Sequence, residues 1–283
     1  MAKIPPNGNV HTNIPATFQP STLRMNNIIL TVVALLAAFS PQAVKAEDAA
    51  VRIDSRPGVT VPLFVMKRAN AIATLVMLPG GSGGYGQLVD GKPSGRNFLV
   101  RARDYFADAG FNVAVMGRPS DTADLDYADR IAPAHMDDIK AVVTFLKNNL
   151  AHPLWLIGTS RGSVSATAAA IALGQEQLAG IVLTASVISP NKPGAVPAQD
   201  LAKIKIPVLV VHHENDACKI CSPAGVPAIL TGLKNASIKK LVMMKGGGPP
   251  TGDTCEALHF HGFIGLEKQV ANLITTWIKQ PSM

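Results

Sequence analysis

Ser160 sits in Gly158-Thr159-Ser160-Arg161-Gly162, directly after the apolar run Pro153-Leu154-Trp155-Leu156-Ile157. The run reads as a buried strand. The stretch beyond it, with Ser163, Ala166, Ala168, Ala169 and Ala170, reads as a helix of small residues. A chain that passes from strand to helix in so few residues needs glycine on both sides of the serine, because a side chain at either place would collide with the neighbouring strand or helix. Such a turn lifts the hydroxyl above the sheet. It also sets the free N–H groups and the positive dipole end of the helix where negative charge would develop. The chemistry this suits is attack by a serine hydroxyl. At neutral pH that hydroxyl needs a base within hydrogen-bond reach and a carboxylate to orient the base. Two later segments offer both. His212-His213-Glu214-Asn215-Asp216 follows another apolar run, and Leu258-His259-Phe260-His261-Gly262-Phe263 precedes the last helical pattern, with Asp253 close by as a third carboxylate.

The elements that must position these residues alternate between strand and helix nearly to the end of the chain, which points to a parallel-rich sheet covered on both faces. Strands are expected over residues 60–66, 73–78, 111–116, 153–157, 180–184, 207–211 and 238–244, with an edge strand at 51–54. Met136, Ile139, Val143, Leu146 and Leu150 recur at spacings of three and four, one apolar stripe of a core-facing helix, and a last helix is expected over 266–278. With 283 residues, 47% hydrophobic and 16% charged, the chain can bury one large core. Residues 47–283 contain no repeat and no low-complexity linker, and read as one domain.

Ahead of that domain, Asn26-Asn27 is followed by an apolar or small-residue run from Ile28 to Phe39, and then by a polar stretch closing on Val44-Lys45-Ala46. This is the layout of a secretory signal over residues 25–46, too short to span a bilayer comfortably. Residues 1–24 are polar and proline-containing without pattern, and translation is expected to begin at Met25, leaving them an untranslated or disordered leader. The net charge of +7 falls once Lys3, Arg24 and Lys45 are removed, leaving 23 basic against 19 acidic residues. No basic run with interleaved aromatics remains, which argues against nucleic-acid binding. The mature chain is expected to be periplasmic or secreted, without stable membrane insertion, and nothing in the sequence speaks to its oligomeric state.

The order of elements together with the turn at Ser160 resembles the α/β-hydrolase fold over essentially all of residues 47–283, with a mostly parallel central sheet, helices on both faces and little or no cap domain. Within it, the chain is similar to small exported bacterial serine hydrolases of dienelactone-hydrolase-like build. Dienelactone hydrolases proper use cysteine as nucleophile, and Ser160 stands in that place here. The resemblance implies the chain order serine, acid, histidine. His212-His213-Glu214-Asn215-Asp216 resembles the family's H-G-x-x-D turn and puts Asp216 in the acid position, with Glu214 and then Asp253 as alternatives. His261-Gly262-Phe263 matches the family's histidine followed by Gly-Phe, with His259 as alternative; His212 and His213 are assigned no chemical role. Leu78-Pro79-Gly80-Gly81-Ser82-Gly83-Gly84 resembles the family's oxyanion loop. The oxyanion donors are then the backbone N–H groups of Gly81, or of Ser82 one residue on, and of Arg161.

Gly81-Ser82-Gly83-Gly84-Tyr85-Gly86 also satisfies G-x-G-x-x-G. The dinucleotide fingerprint must open directly into a helix, however, and Gly91, Pro93 and Gly95 interrupt the next residues of the chain. No nucleotide or other cofactor is expected. The three cysteines, Cys218, Cys221 and Cys255, all fall in the loops that carry the acid and the base. In an oxidising compartment a Cys218–Cys255 bridge would tie those loops together, a pairing that also resembles one in the related exported hydrolases. Cys221 would remain as a buried thiol or a competing partner. Read alone, Cys218-x-x-Cys221 suggests a redox site, and His212, His213, Asp216, Cys218 and Cys221 a metal site. Neither the thioredoxin-like setting nor a second ligand pair at fixed spacing accompanies them.

The segment from Thr184 to Pro207, where many hydrolases of this fold insert a cap, is short, which favours a shallow pocket and a small substrate. Asp121, Asp124, Asp126 and Asp129 make an acidic loop that would disfavour anions if it bordered the site, and Arg161 would either counter that charge or pair with one of these acids. The reading that results is an exported serine hydrolase acting on a small carboxylic ester, a thioester or amide being less favoured, through acyl-Ser160. The competing class is a non-catalytic binding protein that keeps the fold.

Overall fold

The computed structural model describes residues 47–283. The expectations for residues 1–46, the leader over 1–24 and the export signal over 25–46, lie outside the described residues.

Eight strands form one sheet: β1 (Glu47–Arg56), β2 (Val59–Lys67), β3 (Thr74–Leu78), β6 (Asn112–Met116), β7 (Leu154–Thr159), β8 (Gly180–Thr184), β9 (Val208–His213) and β10 (Lys239–Met244). Their spatial order is β1-β2-β6-β3-β7-β8-β9-β10. β1 and β2 pair antiparallel, as do β2 and β6, and every pairing from β6 to β10 is parallel. The inner strands β3, β6, β7, β8 and β9 are buried along their whole length, which explains their mostly apolar sequences.

Side chains along each strand alternate between the two faces, so the sheet separates two cores. On one face Val76, Leu156, Leu183 and Val210 meet helices α2 (Pro133–Leu150) and α3 (Arg161–Gln177) through Ile139, Val143, Leu146, Ala166 and Ala170. On the other face Met77, Val115, Ile157 and Val211 meet α1 (Phe98–Asp108) and α5 (Glu267–Lys279) through Phe98, Phe106, Val270 and Ile274. The alanines of α3 allow its axis to lie close against β7 and β8. A short helix α4 (Pro227–Gly232) packs Ile229 into the α2/α3 face.

The strands, the stripe helix and the last helix fall where the periodicity places them, with one difference of consequence. β9 runs two residues further than expected, so His212 and His213 are its last residues and fully buried. The glycine-rich segment after β3 leads, in keeping with its interruption by Gly91, Pro93 and Gly95, not into a helix but into a small hairpin of β4 (Leu88–Val89) and β5 (Lys92–Pro93), and α1 begins only at Phe98. Between β8 and β9 the chain makes only the two short 3-10 turns Val196–Ala198 and Leu201–Lys203.

Candidate active site

Packing enforces the turn at Ser160. A Cβ on Gly162 would lie 1.9 Å from the Leu78 carbonyl oxygen, and one on Gly158 would lie 2.3 Å from the Gly162 carbonyl oxygen. No heavier residue fits either place without moving β3 or α3. Ser160 itself has φ +53°, a left-handed conformation that costs a non-glycine residue of order 1–3 kcal/mol and persists because its surroundings hold it. The Ser160 N–H donates to the Thr184 carbonyl at 3.0 Å, anchoring the turn to β8, and the Ser160 carbonyl accepts from the Ser163 N–H at 2.9 Å and the Ser163 hydroxyl at 2.6 Å. Ser163 Oγ in turn accepts from the Val187 N–H at 3.1 Å, joining the first turn of α3 to the chain beyond β8.

Asp216 follows β9, its N–H donating to the His213 carbonyl at 3.1 Å and its Oδ1 accepting from the Cys218 N–H at 3.0 Å. Its other oxygen, Oδ2, accepts from His261 Nδ1 at 2.9 Å, between groups that are both almost fully buried. His212 Nε2 lies 3.3 Å from the same oxygen while donating to the Cys221 carbonyl at 2.7 Å. Burial alone would push the Asp216 carboxyl up, but hydrogen bonding to His212 and His261 outweighs it and holds the group down to about 2. Asp216 is therefore an anion at any ordinary pH. His261 Nε2, the nitrogen facing away from the acid, is buried without a hydrogen-bond partner among the described residues.

His261 lies on the 3-10 turn Phe260–Gly262, and this turn is fastened from a distance. Arg101, on α1, donates to the Ala257 and Gly262 carbonyls at 3.0 Å each and pairs with Glu267 at 2.7 Å. Gly262 packs so tightly that a Cβ would come 1.9 Å from the Ala257 carbonyl oxygen. Sequence reasoning found neither Arg101 nor the His212 contact. Arg101 is separated from its partners by more than 150 residues, and nothing local marks it.

The alternatives lie elsewhere. Glu214 is exposed and pairs with Lys245 at 3.0 Å, and Asp253, also exposed, accepts from the Cys255 N–H at 2.9 Å. His213 stacks on Phe260 with ring centroids 4.6 Å apart, accepts from the Asn215 N–H at 3.0 Å and donates through Nε2 to the Gly246 carbonyl at 2.9 Å, which uses both nitrogens structurally. His259 sets its ring edge-on to Phe260.

Cys218 and Cys255 form a disulfide that joins the Asp216 loop to the segment before His261. Cys221 is a free, buried thiol. Burial pushes that thiol well above its ordinary range and the Asp216 charge adds to this, while a hydrogen bond with the Ser160 side chain pulls the other way. The sulfurs of Cys218 and Cys221 and a nitrogen of His261 lie within 4.8 Å of one another. With Cys218 committed to the disulfide, this group has no second thiolate to offer a metal.

Ser160, His261 and Gly81 line one cavity of about 280 Å³, together with Gly80, Ser82, Asn97, Phe98 and Glu256. Arg161 is the first residue of α3, where backbone N–H groups have no acceptor inside the helix. Its side chain sits over the Tyr127 ring at 4.7 Å and 3.6 Å from Asp124, so it pairs with the acidic loop. Asp121 pairs with Arg56 at 3.0 Å, and Asp126 Oδ1 accepts from the Ala128 and Asp129 N–H groups. The acids of that loop are exposed and occupied with their own neighbours.

Compared by sequence, the chain matches no protein-family model and no curated protein. Compared by structure, it is similar to an α/β serine hydrolase without lid from Xanthomonas campestris, 18% identical over 84% of this chain and 98% of that one, with a TM-score of 0.57. It is similar to an esterase from Pyrococcus furiosus, 14% identical over 86% of this chain and 94% of that one, with a TM-score of 0.60. A dienelactone hydrolase from Anabaena variabilis is 15% identical over 83% of this chain and 97% of that one, with a TM-score of 0.58. Strand order and these likenesses agree, and residues 47–283 have the α/β-hydrolase fold.

Proposed function

We propose that this protein is an exported serine hydrolase that cleaves a small carboxylic ester through acyl-Ser160. The observation that carries this reading is the buried Asp216–His261 pair, whose unpartnered Nε2 belongs to a side chain that lines the same cavity as Ser160 on its strained turn. In the proposed reaction His261 Nε2 takes the Ser160 proton as Oγ attacks the ester carbonyl carbon. The Asp216 anion keeps the imidazole in the Nδ1–H tautomer and stabilises the imidazolium that forms. The N–H groups of Gly81 and Arg161 receive the carbonyl oxygen as it becomes an oxyanion. One such donor is typically worth about 10²–10³ in kcat. His261 then protonates the departing alkoxide, and water, activated by the same imidazole, releases the acid. No Ser160–His261 hydrogen bond is formed in this structure, and in hydrolases without substrate that contact is often loose.

A cavity of about 280 Å³ with a glycine-rich wall suits a short acyl group. The Cys218–Cys255 disulfide supports an oxidising compartment, and among the described residues no helix is long and apolar enough to cross a membrane. The test is covalent labelling of the purified protein with a fluorophosphonate probe, read by intact mass. One adduct on the wild type and none on Ser160→Ala is the expected result; an unlabelled, folded wild type would instead favour a binding protein that keeps the fold.

A further inference from the structure

Arg130 is 1% exposed, in the 3-10 turn Asp129–Ile131, yet no carboxylate reaches it among the described residues. Buried arginine is ordinarily paired, because an uncompensated charge in the interior is costly. The acids of its own loop point outward to other partners. Its guanidinium instead donates Nε to the Leu125 carbonyl at 3.1 Å, Nη1 to Ser165 Oγ at 3.1 Å and Nη2 to the Gly81 carbonyl at 3.0 Å. Burial and the neighbouring Arg161 charge lower it to about 9, so it remains a cation at neutral pH. His135, also on Ser165 Oγ at 2.9 Å, is held neutral by burial and by the Arg130 charge, and adds no second cation.

These contacts join the two sides of the proposed oxyanion site. Ser165 belongs to α3, the helix that begins with Arg161, and Gly81 belongs to the turn opposite. The three carbonyls of that turn are all held. Gly80 O accepts from the Gly83 N–H at 3.0 Å, Ser82 O from the Leu125 N–H at 3.0 Å, and Gly81 O from Arg130. In a trans peptide the N–H points opposite to its carbonyl, so anchoring Gly80 O and Gly81 O sets where the N–H groups of Gly81 and Ser82 point. The planar fork reaches Leu125, Ser165 and Gly81 from three separate nitrogens in fixed geometry, whereas an ammonium would have to make these contacts from one.

We propose that Arg130 is a positioning residue: by holding the Gly81 carbonyl against α3 it fixes the Gly81–Ser82 peptide, setting the Ser82 N–H directly and the neighbouring Gly81 N–H through the turn closed by Gly83 N–H on Gly80 O, so that N–H groups from the turn and from α3 converge on one oxygen. This rests on the hydrolase reading above. The test measures p-nitrophenyl acetate hydrolysis and fluorophosphonate labelling by wild type, Arg130→Met, Arg130→Lys and Ser165→Ala, with amide hydrogen exchange followed over residues 79–86. Displacing a catalytic group by about 1 Å costs of order 100-fold. Arg130→Met should therefore lower kcat roughly 100-fold with KM within about threefold, and exchange at 79–86 should quicken while the rest of the sheet keeps its protection. Arg130→Lys should fall short of rescue despite keeping the charge, and Ser165→Ala, which removes one contact, should lose several-fold in kcat. If Arg130→Met does not fold, the Lys and Ala variants decide. Wild-type kcat in the folded variants, or a loss confined to KM, overturns the positioning role alone. A wild type that neither hydrolyses nor labels overturns the hydrolase reading and this inference with it.

Discussion

His135 gives the chain a specific sensitivity to acid. It is 5% exposed on α2, and burial first, then the charges of Arg130 and Arg56, lower its pKa to about 3. In the unfolded chain the same imidazole titrates near 6.5. Between those values the unfolded state binds a proton that the folded state refuses, so stability falls as pH falls below about 6.5 and the loss is complete near 3. Each unit is worth about 1.4 kcal/mol, so the cost from this one group is about 2 kcal/mol at pH 5 and approaches about 5 kcal/mol near pH 3. The perturbation is His135→Gln, which keeps a polar group beside Ser165 and removes the titration. Urea unfolding of both proteins from pH 7.5 to 4.5 should show wild type losing about 2 kcal/mol more than the variant by pH 5, whatever constant offset the substitution introduces. Parallel stability curves for the two proteins would refute the assignment.

Three further outcomes are expected from the geometry. Asp216→Asn should lower kcat on an ester by about 10³–10⁴, since it removes the anion that orients His261 while leaving Ser160 in place; steady-state kinetics with a folded variant is the check. Gly162→Ala should destabilise by about 3 kcal/mol or more, because its Cβ meets the Leu78 carbonyl oxygen at 1.9 Å, and a variant of unchanged stability in denaturant titration would mean that β3 yields there easily. Cys255→Ser should cost about 4 kcal/mol on the loop-entropy argument for a separation of 37 residues, or about 8–16 °C in Tm for a domain of this size, and calorimetry showing under about 3 °C would count against the disulfide's role.

Sequence alone determined what depends on local pattern. Buried strands announce themselves as apolar runs, α2 as a stripe at spacings of three and four, and the turn at Ser160 as glycines that steric contact demands on either side. The resemblance implied the order of Ser160, Asp216 and His261, and the structure places Asp216 against His261 and puts Ser160 on the cavity that His261 lines. The extent of β9 was not legible, because the apolar run ends at Val211 and only burial shows that the two histidines after it belong inside. The tertiary structure alone decided which side chains brace the site: Arg101 holding the His261 turn across more than 150 residues, Arg130 joining Gly81 to Ser165, and the nearby His212 sharing the oxygen of Asp216. An arginine's sequence surroundings say that it is charged. Only the folded chain says that its charge is turned inward, away from four nearby aspartates and onto carbonyl oxygens that nothing in the sequence marks.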